Sequence, residues 1–201
     1  MRKNMKTLGA LACAGVLGLG AIGNTAMVAN AAGQGDTNVY YTSDSTNIDQ
    51  DGKIVMIIPA DVNLNKNKTT GETTLKLKTS NGQNFNQFGT TFSAKIGVSS
   101  KNGGKLKNAA GDIEAAYKLN NKTDKYEAKW TDATHNEGFA QFNTTNSGTM
   151  NESVKNLEVS VENSSVTTME AAPTGTQFSD VLTFKVTSLA GDGLTMVTPT
   201  P

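Results

Sequence analysis

Cysteine is all but missing: Cys13 is the only one in 201 residues. No disulfide can therefore staple the chain downstream of it, and no thiol is present there to act as a nucleophile or a metal ligand. Histidine is as scarce. His135 stands alone in the polar stretch Thr134-His135-Asn136-Glu137, which excludes a multi-histidine metal centre. A Ser-His-acid triad would have to pass through this one residue, and no G-x-S-x-G turn accompanies it; it reads as an exposed loop histidine. Aromatic residues make up 6% of the chain, with a single tryptophan, Trp130. Neither sign of charge dominates, at 18 basic and 18 acidic residues.

The one long run that is both uncharged and mostly apolar, residues 7–22, follows Arg2, Lys3 and Lys6 and leads to Ala29-Asn30-Ala31. A basic start, an apolar middle and small residues before a cut read as a cleaved secretory signal peptide over 1–31. The run is short and Gly-rich for a membrane span, which needs about 20 apolar residues. Cys13 does not read as a lipidation site, because Ala10 stands three places before it and the apolar run continues past it. Cleavage would leave 170 residues, enough for one domain with a real core. It would also remove three of the 18 basic residues and no acidic one, leaving a net charge of −3. A weakly negative chain argues against nucleic-acid or anionic-membrane partners, and Lys66, Lys68, Lys76 and Lys78 fit a solvated strand face. A secreted domain without disulfides suits a bacterial exoprotein.

What remains is rich in Thr, Asn, Ser and Gly, and its apolar residues recur with period 2, as half-buried strands require. Phe92, Ala94, Ile96 and Val98 share a face; so do Leu75 with Leu77, and Ile113 with Ala115, Tyr117 and Leu119. Further faces are Tyr126 with Ala128 and Trp130, Leu157 with Val159 and Val161, and Leu182 with Phe184 and Val186. Helical spacing is almost absent. Asp51-Gly52, Asn81-Gly82, Asn102-Gly103-Gly104, Ala110-Gly111-Asp112 and Asn120-Asn121 supply turns. The pattern predicts an all-β fold: an antiparallel β-sandwich, Ig-like or jelly-roll-like, of about 9–11 strands. Its expected bounds are a flexible lead over 32–36, the sandwich over 37–188 and a loose tail over 189–201. Ile54 to Ile58, apolar on both faces and stopped by Pro59, reads as a strand central in the sandwich. The stretch NLNKNKTTGETT reads as a long hairpin loop.

Chemistry-bearing candidates are few. Asn47-Ile48-Asp49-Gln50-Asp51-Gly52 opens like a calcium loop, but the twelfth position, where a bidentate Glu belongs, is Ile58; an Asp-Gly turn accounts for it. Glu127 with Asp132, or Asp180 on an inward register, would be the carboxylates to consider for glycoside cleavage, although Asp180 reads better as a strand-end or bulge residue. Trp130, Tyr126, Phe139 and Phe142 would form either a sugar-stacking platform or core, and their alternation with charged neighbours favours core. Five formal N-glycosylation sequons, at Asn67, Asn121, Asn143, Asn151 and Asn163, are expected by chance in so Asn- and Thr-rich a chain. No catalytic, cofactor-binding or metal site is expected.

The order VYYTSDST, KIVMIIPADVNLNKNK, TTLKLKTSNGQNFNQFGTTFSAKIGVSSKNGGKLKN, AAYKL and GTQFSDVLTFKVTS resembles small secreted surface proteins of Gram-positive bacteria, described as adhesins and associated with WxL-type cell-wall proteins. The similarity covers most of 39–187 and specifies strands and turns. The Trp-x-Leu motif itself is missing, Trp130-Thr131-Asp132 standing in its place, and TMVTPTP is not an LPxTG-type sorting signal. The resemblance implies an exported, noncatalytic cell-surface protein mediating adhesion or envelope assembly through loops or sheet edges. Its partners would be other surface proteins, cell-wall polymer or host matrix. Two further readings are a fibre subunit that donates a free strand around Val39 to Thr42, and a carbohydrate-binding module.

Overall fold

A computed structural model describes residues 36–41, 46–59, 61–65, 67–131 and 135–197; the segment read as a signal peptide lies outside them. Among these residues twelve strands follow one another, one more than the upper expectation: β1 (Asp36–Tyr41), β2 (Thr46–Asn47), β3 (Ile54–Ile57), β4 (Val62–Asn65), β5 (Thr70–Thr79), β6 (Ser93–Ser100), β7 (Lys105–Asn108), β8 (Glu114–Asn121), β9 (Tyr126–Glu127), β10 (Ala140–Asn143), β11 (Glu152–Val161) and β12 (Phe178–Ala190). The fold is the expected mostly antiparallel, sandwich-like all-β arrangement. One sheet pairs β6 with β10 and with β12, and β12 in turn with β1. The other runs β8-β11-β5-β3-β2. They are continuous through β8, whose first residues pair with β7 and whose last pair with β11.

Period-2 alternation places the core correctly. Leu75, Leu77, Ala94, Ile96, Ala115, Leu119, Val159 and Leu182 are fully buried, each of the larger ones contributing about 1.5–3 kcal/mol on removal from water and the alanines less. Pairing carries the rest: β11 matches β5 over nine positions, from Glu152↔Lys78 to Ser160↔Thr70. At one end of β8, Lys105 and Lys107 both reach the Glu114 carboxylate at 2.5 Å. Hydrogen bonds from Lys105 and then Lys107 hold that carboxyl from the ordinary 4.5 down to about 2.

Several expectations need correction. Pairing is not wholly antiparallel, because β1 runs parallel to β12 while pairing antiparallel with β4. The N-terminal strand is therefore not free: both its edges are taken within its own sheet. The apolar run of β3 is second from the edge rather than central, and its faces differ: Ile54 and Met56 are fully buried, while Val55 and Ile57 on the other face are only partly so. The supposed long loop NLNKNKTTGETT is mostly strand, its ends lying in β4 and β5. Asn121 belongs to β8, and the left-handed residue of the turn after it is Lys125, at φ 56. The loose tail docks instead. The N–H of Gln50 donates to Thr195 O and that of Val197 to Ile48 O, and Lys53 Nζ donates to Gly193 O at 2.6 Å.

Two helices also went unforeseen, α1 (Thr144–Ser147) and α2 (Asn163–Ala171). The second links β11 to β12 and has no fully buried residue. It is fastened by single bonds, the Ala116 N–H donating to Ser165 Oγ at 2.9 Å and the Glu162 N–H to Ala116 O. No helix among the described residues is long and apolar enough to cross a membrane.

Candidate functional site

Residues 93–108 run along one edge of β12 in two pieces, β6 against Leu182–Ala190 and β7 against Phe178 and Ser179. Lys101 to Gly104 loop out between them. Asp180, 1% exposed, anchors this loop. Its Oδ2 accepts the Ser100 hydroxyl at 2.5 Å and the Tyr117 phenol at 2.7 Å; its Oδ1 accepts the N–H groups of Asn102 at 3.0 Å and Val181 at 2.7 Å. The Gly104 N–H donates to Ser100 Oγ at 2.7 Å, closing the loop. A buried carboxylate needs such donors, since a charge left unsatisfied in the interior would be strongly destabilising. Asp180 is thus an acceptor shared by β6, β8 and β12.

The loop it holds is the seat of Trp130. A Cβ on Gly104 would come within 1.8 Å of Trp130 Cδ1, and Gly104 has φ +76, so only glycine fits. The indole N–H donates to Tyr117 O at 3.3 Å, and the rings of Tyr117 and Trp130 lie 5.6 Å apart, tilted by 54°. On the other side, Asn136 staples the segment that follows β9. Its Oδ1 accepts the Lys129 N–H at 2.8 Å, and its Nδ2 donates to Lys129 O at 3.0 Å. The 3₁₀ turn His135–Gly138 lies directly on β6, where a Cβ at Gly97 would meet Glu137 Cα at 3.2 Å. The Thr187 hydroxyl, next to a register shift in β12, donates to Glu137 O at 2.5 Å.

Between these walls the outer face of β6 and β12 forms a groove of about 380 Å³. It is lined by Ser99, Trp130, Glu137, Thr183, Lys185 and Thr187, among others. One aromatic edge, one acid, one base and several hydroxyls converge on a floor of strand. Such a surface can recognise a polar ligand by hydrogen bonds and one stacking or edge contact.

The other sequence candidates are dispersed. Asp49 is buried, and its carboxylate accepts the N–H groups of Ile54 at 2.8 Å and Asp51 at 3.3 Å, while Asp51 pairs with Lys53 at 2.8 Å. This is the Asp-Gly turn. Among the described residues no three of His, Cys, Asp and Glu come together as a metal site would need. Glu127 is exposed and faces Lys118 at 3.5 Å; Asp132 lies outside the described residues, as does the side chain of His135. Of the four aromatics, Phe139 and Phe142 are core, Tyr126 packs edge-on against Phe139 at 6.0 Å, and Trp130 alone lines the groove. They do not make a flat platform. Sequence reasoning missed the groove itself. Its floor could have been read from Thr183 and Lys185 opposing Leu182 and Phe184, but its walls arise from contacts far apart in the chain. Comparison with known proteins finds no family model and no curated protein that matches this chain.

Proposed function

We propose that this chain is an exported, noncatalytic recognition domain of a bacterial cell surface, serving adhesion or envelope assembly, and that it meets its partner in the groove beside Trp130. The observation that carries the reading is the fixed wall: a tryptophan seated on a glycine that nothing else could replace, facing Glu137 and Lys185 across an exposed strand floor. Buried hydrogen bonds to Asp180 and Asn136 preorganise both sides, which lowers the ordering cost of binding. The border strands support grooves over edges as the mode of recognition. β2 and β9 have two residues each, and β4 and β10 four, and strands that short give little template for strand addition. A glycan is the second reading, favoured by Trp130 within a polar groove.

The test is capture of the purified protein by three materials in parallel: bare peptidoglycan sacculi, extracted WxL-type surface proteins and host matrix proteins. Retention on one bacterial material alone makes the domain an envelope-assembly part, and retention on matrix alone makes it an adhesin. If all three leave it in the supernatant, the reading fails.

A further inference from the structure

Beyond the residues that line the groove lies a second polar cluster, at the margin of the core. Lys155 is on the inward face of β11, between Ser153 and Leu157, and its side chain is 2% exposed. Its Nζ is 2.6 Å from Asp124 Oδ1 and 4.9 Å from the centre of the Phe142 ring. The other oxygen of Asp124 accepts the Asn121 amide Nδ2 at 2.9 Å and the Gln141 N–H at 3.0 Å. Asn121 is fully buried. Its Nδ2 also donates to Phe139 O at 2.9 Å, and its Oδ1 accepts the N–H groups of Thr123 and Asp124, both at 3.1 Å. The register pairs Asn121 with Leu157, so Lys155, two residues away on the same face, is its diagonal neighbour, within reach of a long side chain.

Every part of an acyl transfer is present. An amine is the nucleophile, a carboxamide the acceptor, two backbone N–H groups lie on the carbonyl oxygen where negative charge would develop, and one carboxylate touches both the amine and the departing nitrogen. Lys155 and Asn121 are both buried, which limits competition from water, and the shared carboxylate holds them together. We propose that Lys155 and Asn121 join in an intramolecular isopeptide bond, with Asp124 moving the protons. Asp124 takes a proton from the Lys155 ammonium, and Nζ adds to Asn121 Cγ. The oxyanion on Oδ1 is held by the Thr123 and Asp124 N–H groups. A second proton passes from Nζ through Asp124 to Nδ2, the Cγ–Nδ2 bond breaks and ammonia leaves, carrying off the proton first taken. An ammonium and a carboxamide become a secondary amide and a free ammonium ion. The product ties the end of β8 to β11 covalently, in a region without cysteine.

The test is mass spectrometry of the purified protein, with its N-terminus identified. The folded protein is expected to be lighter than its sequence by one ammonia. Trypsin should fail to cut after Lys155 and should release a branched peptide joining Asn121 to Lys155. Peptide mapping is needed because succinimide formation at Asn81-Gly82 or Asn102-Gly103 also releases ammonia, but leaves the peptides linear. Lys155→Arg and Asp124→Ala should each restore the sequence mass; Arg keeps the charge facing Asp124, so that variant is expected to stay folded. A folded wild type at its full sequence mass overturns the proposal. So does loss of water with the link on Asp124, which would make that residue the acceptor.

Discussion

Replacing Asp180 with Ala is expected to lower stability by about 3–5 kcal/mol, because a buried network loses its common acceptor. Tyr117 and Ser100 would each lose the partner of a hydroxyl, and the N–H of Asn102 would lose its hold on the loop. In a domain of this size each kcal/mol shifts the melting midpoint by about 2–4 °C, so thermal unfolding should move down by roughly 10 °C. Asp180→Asn provides the internal check. Its remaining oxygen can still accept the Asn102 and Val181 N–H groups, and the two hydroxyls can turn to accept from its NH₂, so the loss should be about 1–2 kcal/mol. A catalytic role would give the opposite pattern, with stability kept and an activity lost.

The second large effect is expected at Gly104. Gly104→Ala carries two penalties, a left-handed φ for a residue with Cβ and a collision with the indole. The first is about 1–2 kcal/mol, and displacing a packed aromatic adds about as much again. Gly103 is the matched control. It has φ +64 with nothing within 4 Å of its would-be Cβ, so Gly103→Ala should show the backbone penalty alone. Fluorescence separates the two, because Trp130 is the only tryptophan. Its emission should shift to the red and become more accessible to iodide in Gly104→Ala, and stay unchanged in Gly103→Ala. If both variants leave the emission unchanged, Gly104 is not the seat of the indole.

How much of this was legible beforehand follows from what alternation can carry. The inward faces of β5, β6, β8 and β12 were read residue by residue, because each strand packs one side on the core and presents the other to water. The same rule extended back along β11 from Leu157 puts Lys155 and Ser153 inward. That signal was present, but a lysine at the start of a run breaks the apolar pattern that draws attention to it. Asp180 could be seen to look inward; three of its four donors could not, since Ser100, Asn102 and Tyr117 come from 63 to 80 residues away in the chain. The helix α2 left little trace because NSSVTTMEA offers only Val166 and Met169 to the core, both partly buried, and the helix buries no residue fully. The docking of residues 190–197 was hidden for a related reason: apart from Lys53 Nζ on Gly193 O and the packing of Leu194, it rests on backbone hydrogen bonds, which carry no side-chain code. The groove is the furthest from sequence, being made where a loop closed by Asn136 and a loop closed by Asp180 face each other across one strand pair.

The central claim is that recognition happens in that groove. The most direct measurement is the capture experiment run with wild type beside Thr183→Arg. Thr183 is exposed on the groove floor, so the substitution should change stability by no more than about 0.5 kcal/mol while its guanidinium fills the space beside Trp130. Whichever material retains the wild type is expected to release the variant, with both proteins melting at the same temperature. Equal retention of the two would contradict it and move recognition to another part of the surface.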